Sequence, residues 1–227
     1  MELCLNGIPT TTSLMKKYTL LTLCLLAILS SSAQTPRAHT LMDTLISQLK
    51  VVFKTDQQYR ILLDPTAKKY GWDSPQIDSL WALAAIQDSI NLTIVTHIID
   101  TYGWLGPDSI GPGGSSALWV VIQHADLGVQ EKYLPLMRDA VKKGKAHASD
   151  LAYLEDRVAL EEGKKQIYGT QFHLDKKTNK YSVAPIEDEP NVDKRRAAVG
   201  LESLEDYAHS NGIEYKLPPQ PPPPPQH

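Results

Sequence analysis

The sequence predicts a mainly α protein: a compact helical bundle of about five main helices, with a C-terminal β-hairpin and short closing helices. Three observations carry this. Apolar residues recur every three to four positions, as in Leu41, Leu45, Leu49 and Val52. Helix-start and helix-stop residues bracket such stretches, with Asp73-Ser74-Pro75 before one and Gly103 after it. After Gly163 the apolar period shortens, which predicts strands.

Taken in order, the first helix is expected from about His39 to Tyr59, followed by a break over Pro65–Gly71. The second runs from Pro75 to Tyr102. Gly103 to Gly114 reads as a loop, and Ser115 or Ser116 opens a third helix. Its run Ala117–Ile122 is apolar on every side, the mark of a central helix. A fourth spans about Val129–Lys143, with Pro135 predicting a kink or a late start. A fifth opens at Ser149 or Asp150 and ends at Gly163. Ile167–Leu174 and Lys180–Ile186 form a hairpin around the turn Asp175–Asn179. Val192–Val199 and Ser203–His209 are the closing helices.

The composition is that of a globular chain: 227 residues, 42% hydrophobic and 22% charged. A net charge of −3 gives no basic footprint for nucleic acid, nor a polybasic membrane surface. Residues 1–33 read as a secretory signal peptide, with Met15 the expected true start. Met15-Lys16-Lys17 is the basic region, Leu20–Leu29 the apolar one, and Ser31 and Ala33 suit a cut before Gln34. Both cysteines, Cys4 and Cys24, precede that cut, so the expected mature chain has no thiol or disulfide chemistry. No transmembrane segment is expected after signal cleavage. Residues 34–39 are expected to be a short linker and 40–216 one helical domain. Residues 217–227, ending PPQPPPPPQH, form a proline-rich tail, expected to be disordered and extended.

Polar residues interrupt the apolar stripes. Asp56 and Arg60 continue the line Leu45, Leu49, Val52. They read either as an i,i+4 ion pair or as part of a site. Asp88 and Asn91 follow Ile77, Trp81 and Ala84 on one face. Unpaired burial of such groups costs kilocalories, so each needs a partner or a cleft. Gln123-His124-Ala125-Asp126 ends the third helix. His124 is a candidate general acid/base, oriented by Asp88, Asp126 or Asp156, because imidazole titrates close to neutral pH. The alternative is a histidine favoured by the helix dipole or satisfied in the core. His124 and Asp126 lie roughly 200° apart on a helix and cannot hold one metal there. No metal site and no cofactor are expected. Tyr168 and Gln171 flank Gly169 in an expected strand, where glycine marks a bulge or a close backbone approach. Arg157 or Arg195 is a candidate to neutralise an anionic group, and Arg195 with Arg196 reads as a clamp for a carboxylate or phosphate or else as a solvated or ion-paired face.

The ordered runs QHAD (123–126), LPLM (134–137), LAYLEDR (151–157), YGTQF (168–172) and VDKRRAAVGL (192–201) follow an upstream DQxxR at 56–60 and Gly103-Trp104. This set resembles a family of uncharacterised bacterial proteins, a domain of unknown function, over roughly residues 55–207. The resemblance implies one structural unit and no particular activity.

Two functions follow from the residues. The first is an exported binding or interaction module with a buried polar network, its partner an unknown small molecule or an envelope protein. The second is a cell-envelope hydrolase or transferase. It would use His124 with Asp88, Asp126 or Asp156, hydrogen-bonding groups from Asn91, Gln123 and Gln171, and an arginine. GxSxG is absent from the sequence, which favours attack by water over a covalent intermediate.

Overall fold

The computed structural model describes residues 36–175, 178 and 180–219. The expected signal peptide and the tail beyond residue 219 lie outside the described residues, as does most of the hairpin turn. The chain divides into two compact units, 1–41 and 42–227. Of the first, only the opening of a helix is described.

That helix, α1 (Pro36–Arg60), starts three residues before the expected His39. It is followed by α2 (Leu63–Tyr70), where the sequence predicts a break. The break fails because Pro65 falls in the first turn of α2, where a missing N–H costs no helical bond. Leu63 and Ala67 pack with Ile77 in a small apolar cluster. Ser74 then precedes α3 (Pro75–Tyr102), and Gly103 stops it at φ 72°. The buried positions of α3 are Ile77, Ala84, Asn91 and Ile98, a seven-residue repeat, joined by Val95 and Ile99. Trp81 is not among them; it is 46% exposed, so the stripe drawn through it is corrected. By length and composition α3 could cross a membrane. One face of its second half, Val95, Ile98 and Ile99, packs in the main core.

Helical hydrogen bonding resumes at α4 (Pro107–Gln123), inside the expected loop. Gly111, at φ 71° and ψ 164°, splits α4 into two helices across a kink. The second piece is the central helix: Ala117, Leu118, Val120, Val121 and Ile122 are all buried. Each fully buried aliphatic side chain contributes roughly 1.5–3 kcal/mol. They meet Leu45, Leu49 and Val52 of α1 and Val95, Ile98 and Ile99 of α3 in one core. Tyr133 and Met137 of α5 (Leu127–Lys142), with Leu154 and Val158 of α6 (Ala148–Glu161), complete it. α5 runs through Pro135 without the expected late start. Pro135 and Glu131, whose carbonyl loses its partner, are both exposed, so water can replace the missing bond.

The strands are shorter than predicted: β1 (Phe172–Asp175) pairs antiparallel with β2 (Lys180–Val183). Residues 166–171 leave the ladder because Gly169 sits at φ 72°, and a Cβ there would come within 2.9 Å of Ile186 Cδ1. A single parallel bridge joins Gln166 to Ile186 instead. A 3₁₀ turn (Glu189–Asn191), α7 (Val192–Ala198) and α8 (Leu204–Ser210) close the fold. Ser203 caps α8 by accepting from the Asp206 N–H at 3.1 Å. Ile186, Val192 and Leu204 form a further cluster on which Tyr207, Tyr215 and Leu217 pack. Leu217 also donates its N–H to Glu205 at 2.9 Å, so the ordered packing reaches the first residue of the expected tail.

Candidate functional site

The last buried position of the α1 stripe is Asp56, 1% exposed. It faces the C-cap of α4, where His124 breaks the apolar run. His124 Nδ1 lies 3.1 Å from Asp56 Oδ1. A carboxylate can only accept there, so the Nδ1–H tautomer is fixed and the Nε2 lone pair is left for chemistry. Nε2 has no hydrogen-bond partner among the described residues. Gln57 Nε2 donates to Asp56 Oδ2 at 2.7 Å. Arg60 stands 3.7 Å from Asp56 Oδ1 and forks onto Asp88 at 2.9 and 2.8 Å. A cavity of about 260 Å³ opens beside this group. Asp56, Asp88, His124 and Asp126 give its polar wall, and Leu92 and Val121 part of its apolar wall.

Burial alone would raise the Asp56 carboxyl. It is outweighed by the hydrogen bond and charge of His124, then by Arg60 and Gln57, and the group is held below its ordinary 3.8. The native value is below the unfolded one. Asp56 therefore adds stability that is complete above the unfolded value and is lost as pH falls through the native value. Denaturant titrations stepped downward from neutral pH should show wild type losing stability below 3.8. Asp56→Asn should lose less over that same range.

The candidate residues do not all converge. The partner of His124 is Asp56, and not the Asp88, Asp126 or Asp156 considered above. Asp88 serves Arg60, and Asp126 lines the cavity at the N-cap of α5 without capping it. Asn91 is a satisfied core amide, accepting from Thr55 Oγ1 and Gln87 Nε2 at 3.0 Å each. Gln123 donates to the Tyr153 carbonyl at 3.4 Å, on a different face from His124.

Asp156 belongs to the fold. Wholly buried, it accepts from the backbone N–H of Ile167 (2.6 Å), Tyr168 (2.9 Å) and Thr170 (2.9 Å), and from Thr170 Oγ1 (2.9 Å). Successive N–H groups around a left-handed glycine make an anion nest, and this carboxylate fills it. Tyr168 therefore enters through its backbone. Gln171 donates to Thr170 Oγ1 at 3.0 Å. Arg195 is spent on the carbonyls of Ile167, Glu187 and Asp188. Of the candidate arginines, Arg157 is the one whose side chain makes no hydrogen bond or ion pair among the described residues, and its Nε is buried.

A family model described as "Family of unknown function (DUF6624)" matches residues 44–217. The chain belongs to this family. No curated protein and no solved structure matches it. The DUF6624 match runs from within α1 to Leu217, so it takes in every residue of the site. Among the described residues no group of three or more His, Cys, Asp or Glu is placed to hold a metal.

Three further residues of this DUF6624 chain are structural. Gln166 is buried and replaces strand pairing: it donates to Gln171 O (3.1 Å) and Ala184 O (2.8 Å) and accepts from Gln171 N (2.9 Å). Arg196, also buried, donates to Glu202 O (2.6 Å) and Tyr168 O (2.8 Å) and lies over the Tyr207 ring. Gln130 ties the end of α4 to α5 through the carbonyls of Gln123 (3.3 Å) and Ala125 (2.7 Å). Gln130 had a signal: it precedes Tyr133, Leu134 and Met137 on a stripe of spacing three to four. Gln166 had none, because its partners are backbone atoms, and Arg196, a candidate with Arg195 for an anion clamp, holds backbone carbonyls instead.

Proposed function

We propose that this domain is an acid–base enzyme, a hydrolase of a small polar molecule, with His124 as general acid/base and Asp56 as the carboxylate that orients it. One observation carries the reading: the 3.1 Å contact between His124 Nδ1 and a buried Asp56, on the wall of an open cavity. Water is the nucleophile. Ser89, the hydroxyl of the cavity wall, donates to Ala85 O at 3.1 Å and forms no pair with His124. His124 Nε2 would take a proton from water and return it to the leaving group.

A binding module is the second reading. Its support is that Asp156, Gln166, Arg195 and Arg196 are consumed in holding the fold, as a buried polar network is. For location we propose export to the periplasm or medium, on the signal layout of residues 15–33.

The test is a panel of activated esters, phosphoesters and amides, offered to wild type and His124→Ala. The enzyme reading expects turnover of at least one by wild type and its loss in a variant that still folds. Equal turnover by both, or none by wild type, favours the binding module.

A further inference from the structure

Arg157 is the one candidate arginine that the fold leaves unused. Arg60 is forked onto Asp88, and Arg195 and Arg196 are held by backbone carbonyls. Arg157 is half-buried, and its Nε is out of reach of water with no hydrogen-bond partner. Burial weakens its hold on the proton, the Glu161 charge one turn along α6 restores some of it, and the Arg60 charge weakens it again. No carboxylate among the described residues comes close enough to pair with it. A guanidinium partly withdrawn from water, with a buried N–H that nothing accepts, is costly, and a ligand that accepts from it would offset that cost.

Its neighbourhood is also incomplete. Tyr153, one helical turn before Arg157, touches α4 twice: its carbonyl accepts from Gln123, and its ring meets Trp119 edge-on with centroids 6.0 Å apart. Gln123 is 96% buried by its 4% exposure, yet its Oε1 has no partner, and neither has Trp119 Nε1. The end of α4 thus has two buried polar atoms without a partner, Gln123 Oε1 and Trp119 Nε1, and α6, which bonds to it through Tyr153, carries a third, Arg157 Nε. Arg60 links this place to the dyad, since it stands 3.7 Å from Asp56 Oδ1 and its charge reaches Arg157.

We propose that Arg157 receives the anionic group, a carboxylate or a phosphate, of the molecule on which the Asp56–His124 pair acts. This deepens the acid–base reading and rests on it. The planar fork of an arginine matches either anion with two parallel hydrogen bonds.

The test titrates inorganic phosphate and, separately, acetate into the protein against matched sodium chloride, reading melting temperature and heat of binding. Wild type should bind one of the two saturably, and which one it binds assigns the class. Arg157→Gln should weaken that binding about 10–100-fold. Arg157→Lys should recover part of it, through charge without the fork. Without ligand, Arg157→Gln should melt at or above the wild-type temperature, because an unpaired charge leaves a half-buried place. The proposal is overturned if neither anion binds beyond chloride, if Arg157→Gln binds equally well, or if that variant alone melts several degrees lower. Anion binding that depends on Arg157, with no turnover on the ester panel, removes the acid–base reading and leaves the anion site standing.

Discussion

Asp156→Ala should lower stability by about 3–5 kcal/mol, the largest single loss expected in the molecule. The carboxylate accepts four donors from Ile167, Tyr168 and Thr170, all within 2.6–2.9 Å. Alanine would leave all four without a partner in a buried place, and the methyl cannot admit enough water to replace them. The segment 166–171 makes only one bridge, Gln166 to Ile186, so side-chain bonds to its backbone define it: beside Asp156, Arg195 and Arg196 hold the carbonyls of Ile167 and Tyr168. The melting temperature should fall on the order of 10 °C for a domain of this size. Asp156→Asn should recover only part, because one oxygen still accepts while the new NH₂ faces N–H donors. Hydrogen exchange gives the local readout: amides 167, 168 and 170 should be protected in wild type and exchange early in the alanine variant. A loss under 1 kcal/mol, or unchanged protection, would show that the nest holds without its carboxylate.

His124→Ala should reduce turnover of any accepted substrate by about 10²–10⁴-fold, the usual contribution of a positioned general acid/base. The cost in stability should be small by comparison. The ring is partly exposed at 20%, and its removal leaves Asp56 still held by Gln57 and near Arg60. Asp56→Asn is the companion. It keeps the shape but replaces an acceptor-only group with one that can present N–H to Nδ1, which favours the wrong tautomer. Turnover should fall by a similar order with KM little changed. Steady-state rates of the three proteins, with melting curves to confirm folding, give the comparison.

Much of the fold was legible because it rests on local periodicity. The line Leu45, Leu49, Val52, Asp56 is buried along its whole length, and the apolar run 117–122 is indeed central. Errors fell where tertiary contacts override local signals. Pro65 reads as a breaker, yet α2 forms because its apolar face has Ile77 to pack on. Ile167–Leu174 reads as one strand, yet Asp156, from a different element, pulls its first half into a nest. The site was half legible. Polar residues that break an oily stripe can be found by spacing alone, which is how Asp56, Asp88, Asn91 and His124 surface. Which of them meet depends on how α1 and α3 run against α4, and spacing within one helix cannot show that. Asp156 and Arg195 were candidates for the same site, and most of their partners turn out to be backbone atoms.

The claim on which the rest depends is that Asp56 fixes the tautomer of His124. Nitrogen-15 spectra of histidine-labelled protein at alkaline pH measure it directly. The account predicts that the His124 ring carries its hydrogen on Nδ1 in wild type and shifts toward the Nε2–H form in Asp56→Asn. An Nε2–H ring in wild type, or the same tautomer in both proteins, would contradict it.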